Sequence, residues 1–253
     1  MPVRTVILCG GMGLRMAGHP AALPKPLIPV GPFPLVRHVM NHYARHGGRE
    51  FILALGYAQN KVRQYLEYAQ REEPDLIQVV DSFEPYRVDL GTMNVLPLDT
   101  GEATDTGGRL FRCRDHLSNS TFALTYADGL SNVDLNAVYE FHRGHGLLVT
   151  LVAVKPETTF GVLDIDTSGV VVGFREKPQL DVWINGGFFL CEPRVFDYLT
   201  ESCNFEKDVL PQISADGQLA AFRFTGFWAC ADTPKDAMAL DAAYRNGQGA
   251  WCF

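Results

Sequence analysis

The 253-residue sequence predicts an α/β fold: a mainly parallel central sheet flanked by helices, with a β-rich portion added late in the chain. Three observations predict it. Strand-like apolar runs alternate with segments of helical period. Those runs are continuously apolar, as in strands buried on both faces. The first of them ends in a glycine-rich turn, the usual punctuation between a strand and the next element.

Taken in order, "RTVILCG" (residues 4–10) reads as a buried strand and leads into the glycines. After Pro34, which suits the first position of a helix, Val36, Val39, Met40 and Tyr43 recur at helical spacing. "EFILALGY" (50–57) is a second buried strand and "QNKVRQYLEYAQ" (59–70) a second helix. The pattern repeats with a strand at "TFALTYAD" (121–128), a helix at "NVDLNAVYEFHRGHG" (132–146) and a strand at "LLVTLVAVK" (147–155). After about Pro156 the texture changes. "FGVLDID", "GVVVGFREKP" and "VWINGGFFLCEP" read as strands joined by turns. Helices resume at "PRVFDYL" and "FEKDVLPQI", and "DTPKDAMALDAAYRNG" (232–247) closes the chain with Asp232 as a candidate N-cap. No linker, repeat or low-complexity tract divides the sequence, which reads as one α/β domain with a β-rich insertion.

Composition narrows the function classes. Apolar residues make up 47% and charged residues 20%, an ordinary globular profile, and the formal net charge of -7 argues against a nucleic-acid partner. The six cysteines form no CxxC pair and no metal-type spacing with histidine, so they read as reduced thiols. No run approaches the roughly 18 apolar residues of a membrane span. The stretch before the glycines is too short for a signal peptide. A cytoplasmic protein without a membrane partner is the expectation.

The glycine turn "GGMGLRM" (10–16) fits neither familiar phosphate loop. Gly11-x-Gly13-x-x lands on Met16 where a dinucleotide fingerprint needs glycine, and no GK[ST] follows. A tight turn needing positive φ explains the glycines alone. Arg15 and Lys25 shift the balance. Arg15 can fork onto phosphate oxygens, and Lys25 stands in a segment stiffened by Pro24 and Pro26. Two cations flanking bare backbone amides make a polyphosphate cradle. Asp128, at the end of its strand, belongs at the carboxyl edge of the sheet, where α/β proteins bind ligands. Paired with Asp232 it would suit a hard divalent cation, although a plain helix cap explains Asp232 in isolation. His38 and His42 stand at i, i+4 spacing, and a core or surface role suits them better than metal binding.

These stretches resemble the sugar-phosphate nucleotidyltransferases, and within them the glucose-1-phosphate cytidylyltransferases. The resemblance rests on "GGxGxR" followed by "PKP", and on "LGY" (55–57), "LDTG" (98–101), "TGGRL" (106–110) and "TYADG" (125–129). It continues through "FREKP" (174–178), "INGGFF" (184–189) and "GFWACADT" (226–233), so it covers nearly the whole chain.

The resemblance implies a Rossmann-like nucleotidyltransferase fold in one domain spanning 1–253. Residues 1–155 would be the nucleotide-binding core and 156–253 the sugar-phosphate portion with its closing helix. It implies a reaction in which CTP and a sugar 1-phosphate, glucose 1-phosphate foremost, give a CDP-sugar and pyrophosphate. Asp128 and Asp232 would hold Mg²⁺. Arg15, with the amides of Gly10, Gly11 and Gly13, would take the β- and γ-phosphates, and Lys25 the α-phosphate. Thr106, Gly107, Gly108 and Arg109 would border the nucleotide, Arg109 being equally suited to capping its helix. Lys177 would bind the sugar phosphate, with Glu176, Asn185, Gly186 and Gly187 at the sugar hydroxyls. A homo-oligomer is implied as well.

The chain departs from the family pattern at several places. Leu14 replaces a loop hydroxyl, a loss of about 1 kcal/mol for one hydrogen bond. "AGHPAAL" replaces an acidic pair, Ala127 a glycine, "VGPFPL" a "GGKP", and "NFEKDVL" a Trp-Glu segment. These leave the sugar open, and the alternative is the same chemistry with another nucleotide such as dTTP, or with a non-glucose sugar phosphate, a non-sugar phosphate or a phosphonate as acceptor. A non-catalytic nucleotide sensor is the second class, and the presence of Lys25, Asp128, Lys177 and Asp232 argues against it.

Overall fold

The computed structural model describes residues 3–11, 23–82, 92–117, 120–158 and 160–252; the tip of the glycine loop, with Gly13, Leu14 and Arg15, lies outside them. Nine strands form the main sheet: β1 (Thr5–Cys9), β2 (Glu50–Leu55), β3 (Ile77–Val79), β4 (Met93–Asp99), β5 (Phe122–Tyr126), β6 (Val149–Val154), β7 (Ile184–Asn185), β8 (Phe189–Cys191) and β9 (Leu219–Phe224). The α-helices are α1 (Leu35–Arg45), α2 (Gln59–Glu72), α3 (Thr106–Arg112), α4 (Leu135–His145), α5 (Leu210–Ala215) and α6 (Pro234–Arg245).

β1 lies at the centre, parallel to β2 on one side and β5 on the other, with Cys9 opposite Leu55 and Leu8 opposite Tyr126. β2 continues to β4 and β4 to β3, all parallel. This register brings the carboxyl ends of β1, β2 and β5 to one edge, which places Gly10, Gly56 and Asp128 side by side. Beyond β5 the sheet turns mixed. β8 runs antiparallel between β5 and β6, β7 pairs antiparallel with the far end of β6, and β9 pairs parallel along the other edge of β6.

The continuous apolar runs have the cause expected of them. Along β1, Ile7 and Cys9 enter the core that packs on α1, α2 and α6, whereas Val6 and Leu8 enter the core on the α3 and α5 side. Every residue of β1 is buried, so neither face calls for a polar residue. Each such fully buried aliphatic side chain contributes roughly 1.5–3 kcal/mol, and an Ile52→Ala cavity would cost about 2–5 kcal/mol.

The late β-rich segments divide between two destinations. Val162–Ile165 and Val171–Arg175 form a separate two-stranded hairpin. "INGGFF" returns to the main sheet as β7 and β8. "PRVFDYL" is a 3₁₀ helix (Pro193–Tyr198), and "FEKDV" is a single π-helical turn (Phe205–Val209) leading into α5. The α6 N-cap is Thr233 and not Asp232: the Thr233 hydroxyl accepts from the Asp236 amide, and the Asp236 carboxylate accepts from the Thr233 amide in return. Asp232 is thereby left for the neighbouring cleft. Among the described residues, no helix is long and apolar enough to cross a membrane.

Candidate active site

A cleft of about 520 Å³ opens at the carboxyl edge of β1 and β5, lined among others by Gly10, Gly11, Lys25, Thr106, Arg109, Tyr126, Asp128 and Asp232. It lies where sheets of this class bind ligands, outside the strand ends.

Lys25 is delivered by its prolines. Pro24 holds an extended backbone (φ -64, ψ 147), and Lys25 then starts a 3₁₀ turn with Pro26 buried behind it. Its ammonium ion-pairs with Asp128 at the end of β5, and with Asp232 at 2.6 Å. Burial pulls the Lys25 pKa down, but the charge and hydrogen bond of Asp128, joined by Asp232, outweigh it and hold the pKa above the ordinary lysine value. The ammonium stays charged at any physiological pH.

Cys230 completes this corner. Its Sγ and carboxylate oxygens of Asp128 and Asp232 lie within 4.8 Å of one another. Burial, followed by the Asp128 charge, pushes the thiol up. Two carboxylates with a cation already seated on both fit a hard divalent ion, which asks for oxygen donors and negative charge.

Arg109 has a different setting. On α3 it is 4% exposed, and its guanidinium donates to the carbonyls of Gly10, Leu55, Gly101 and Glu102 and to the Thr100 hydroxyl. It thereby ties the ends of β1 and β2 to the turn after β4. The first glycine of the loop follows from this. A Cβ at Gly10 would lie 2.0 Å from Arg109 Cζ, and one at Gly56 2.3 Å from its Nη1, so only glycine lets both strands close on the guanidinium. Arg109 edges the cleft while its donors hold the backbone around it.

Thr106, at the start of α3, faces the cleft. Its neighbours Gly107 and Gly108 face away: a Cβ at Gly107 would meet Cys203 Sγ at 2.5 Å, and one at Gly108 the Glu201 carbonyl at 2.3 Å. Those glycines seat α3 on the 201–205 segment. The same segment sends Glu206 back to the cleft wall, where it accepts from the Thr106 hydroxyl at 2.6 Å and from the Tyr126 hydroxyl. Burial, then Glu206, raises the Tyr126 pKa, so the phenol remains a donor.

On the other side Asn185 Nδ2 approaches the Tyr126 oxygen at 3.4 Å and its Oδ1 accepts from the Gly187 amide at 2.9 Å. The Gly186 carbonyl accepts from Trp228 Nε1 at 2.7 Å. Glu176 and Lys177 pair at 3.6 Å on the exposed turn after the hairpin and are not among the cleft-lining residues.

The structure therefore brings together Gly10, Gly11, Lys25, Thr106, Arg109, Asp128 and Asp232, with Asn185 one contact away through Tyr126. Tyr126, Glu206 and Cys230 join the site in the folded chain without standing out in the sequence. Tyr126 and Cys230 lie inside quoted motifs, a signal that was available; Glu206 shows only in the fold. His38 and His42 are core histidines as expected: His38 Nε2 lies 2.8 Å from the Val30 carbonyl, and burial lowers the His42 pKa to about 3.

Comparison with known proteins gives concordant results. The family model described as nucleotidyl transferase matches residues 4–246. A protein of Bacillus subtilis (strain 168) named "Probable glucose-1-phosphate cytidylyltransferase" is 37% identical, covering 98% of this chain and 99% of its own. The glucose-1-phosphate cytidylyltransferase of Salmonella typhi is 34% identical, covering 98% of each. Among solved structures, HddC from Yersinia pseudotuberculosis superposes with a TM-score of 0.68 at 21% identity, covering 96% of this chain and 99% of that one. A UDP-glucose pyrophosphorylase complexed with UDP-glucose gives 0.69 at 14% identity, covering 98% and 100%. At these identities the structural likeness speaks for the fold, a Rossmann-like nucleotidyltransferase architecture.

Proposed function

The chain belongs to the nucleotidyl transferase family, and on that premise we propose that it couples CTP to a sugar 1-phosphate, glucose 1-phosphate foremost. The observation that carries this reading is the convergence of Lys25, Asp128 and Asp232 in one cleft at the sheet's carboxyl edge. The names of the full-length relatives support the choice of base and sugar.

In the reaction, a phosphate oxygen of the sugar 1-phosphate attacks the α-phosphorus of CTP. The bond from that phosphorus to the bridging oxygen of the β-phosphate breaks, and pyrophosphate departs in line. The attacking oxygen is already ionised, so no side chain need act as a base. Positioning and charge neutralisation supply most of the rate.

We assign the Gly10 and Gly11 amides, with Gly13 and Arg15 beyond the described residues, to the β- and γ-phosphates. Lys25 leaves the carboxylates for the α-phosphate and the departing oxygen, where a preorganised cation is most effective. Asp128 and Asp232 hold the divalent ion, Mg²⁺, which when bound offsets the negative charge of the phosphates. Thr106 borders the nucleoside, and Arg109 shapes that wall by fixing the turns around it. Asn185 and the Gly186–Gly187 backbone take sugar hydroxyls, with Glu176 and Lys177 closing on the sugar phosphate from the hairpin turn. Residues 1–155 then form the nucleotide-binding core and 156–253 the sugar side of one domain. Small-molecule partners in the cytoplasm belong to the same reading, and the net charge of -7 speaks against a nucleic-acid partner. A homo-oligomer rests on family likeness.

Pyrophosphate release and nucleotide-sugar formation across a panel of NTPs and sugar 1-phosphates tests this. CTP with glucose 1-phosphate should give the highest kcat/KM, and no turnover with CTP on any acceptor would overturn it.

A further inference from the structure

Cys230 ends the short strand Trp228–Cys230, which pairs antiparallel with Gly129–Ser131 so that Cys230 stands opposite Gly129. The Ala231 amide donates to the Asp128 carbonyl at 3.1 Å, which pins the two segments together beside the cleft. The thiol is thus fixed by the sheet next to Asp128 and two residues before Asp232. It is a free cysteine and, like Cys252, only partly buried, whereas Cys9, Cys113, Cys191 and Cys203 are buried. Its Sγ and the two carboxylates offer three donor atoms within 4.8 Å of one another. An independent feature of the same corner is the Lys25 ammonium, in contact with both carboxylates. The corner is built around a cation.

We propose that Cys230 is a third protein ligand at this corner, which makes it a mixed oxygen–sulfur site for thiophilic divalent ions such as Co²⁺, Zn²⁺ and Cd²⁺ as well as for Mg²⁺. The proposal rests on the reading of Asp128 and Asp232 as the metal-holding pair and adds the sulfur. Thiolate favours borderline and soft ions, whereas Mg²⁺ gains little from it. Two carboxylates and a thiolate carry negative charge enough for one divalent ion, which displaces the Lys25 ammonium from the carboxylates. Binding releases the thiol proton to the buffer. The consequence is that Mg²⁺ use is exposed to competition from soft ions held by the Cys230 sulfur.

The test is a Co²⁺ titration of the nucleotide-free protein, read by absorbance and by equilibrium dialysis. The wild type should show a near-ultraviolet sulfur-to-cobalt charge-transfer band that saturates with one bound ion. Cys230→Ser should bind Co²⁺ without that band, and its Cd²⁺ affinity should fall by at least about tenfold, the scale expected even for supporting residues of metal sites. Its Mg²⁺ affinity should move by no more than about twofold, because Mg²⁺ prefers oxygen. Cys230→Ala serves as a second variant if the serine protein does not fold.

Cobalt binding to the wild type without the band, or a band that persists in the variants, overturns the assignment of Cys230 and leaves the carboxylate pair intact. No cobalt binding, or binding unchanged by Asp128→Asn, overturns the carboxylate pair and the inference with it.

Discussion

Lys25 Nζ lies 2.6 Å from Asp232 Oδ1 and also touches the Asp128 carboxylate, so one ammonium bridges two acids carried by different ends of the fold. The same lysine is needed at the α-phosphate when nucleotide binds. It therefore has two sets of partners, and the exchange between them links phosphate binding to the opening of the carboxylate corner for a divalent ion.

Replacing Lys25 with Met should separate these two roles. Steady-state kinetics should show kcat lowered by about 100–1000-fold, the cost of removing one preorganised donor. Equilibrium dialysis without nucleotide should show tighter divalent-ion binding, because the competing ammonium is gone. Unchanged ion affinity would mean that Lys25 does not compete for that corner.

Removal of the metal should stop turnover completely. Chelation should abolish pyrophosphate release, and Mg²⁺ should restore it. Asp128→Asn should lower the rate by about 1000-fold at saturating Mg²⁺, with melting close to that of the wild type. A chelated enzyme that still turns over would contradict the assignment of Asp128 and Asp232.

Arg109 should register in stability before it registers in chemistry. Arg109→Ala removes a charged donor from the carbonyls of Gly10, Leu55 and Gly101, of which Gly10 and Leu55 keep an amide donor, a loss of roughly 2–4 kcal/mol by urea unfolding. Gly10→Ala should destabilise as well, through its clash with the same guanidinium. A wild-type unfolding midpoint for Arg109→Ala would show that these bonds do not hold the turns.

Acid should weaken the fold through its buried histidines. Burial, with His46 and Arg45 nearby, lowers the His42 pKa from 6.5 to about 3. Burial also lowers His38 and His142. Between pH 6.5 and about 3 the unfolded chain binds protons that the folded one refuses. The stability contribution is thus complete above pH 6.5 and falls on acidification, by up to about 1.4 kcal/mol per pH unit for one histidine. His42→Leu should flatten the dependence of unfolding free energy on pH in that window. An unchanged slope would show that His42 titrates in the folded state as it does in the unfolded one.

The central strands were legible because burial on both faces writes a continuous apolar run, as in "TVILC" and "FILAL". β4 was not, since Pro97 interrupts it and its last three residues are less than fully buried. β9 was hidden by its half-exposed pattern at the sheet edge. Within the site, Lys25, Asp128 and Asp232 stand in motifs whose residue types announce charge chemistry. Arg109 was legible as a residue but not as a clamp, because most of its acceptors are backbone carbonyls, which leave no trace in a sequence. Glu206 was invisible for a related reason: its partners Tyr126 and Thr106 lie 80 and 100 positions away, and only the folded chain brings them together.

The most direct test of the central claim follows the fate of a label at the α-phosphorus of CTP, incubated with glucose 1-phosphate and Mg²⁺. Attack at that phosphorus moves the label wholly into the CDP-sugar and leaves the released pyrophosphate unlabelled. Label that stays in CTP, or that emerges in CDP or CMP with no nucleotide sugar formed, would contradict nucleotidyl transfer.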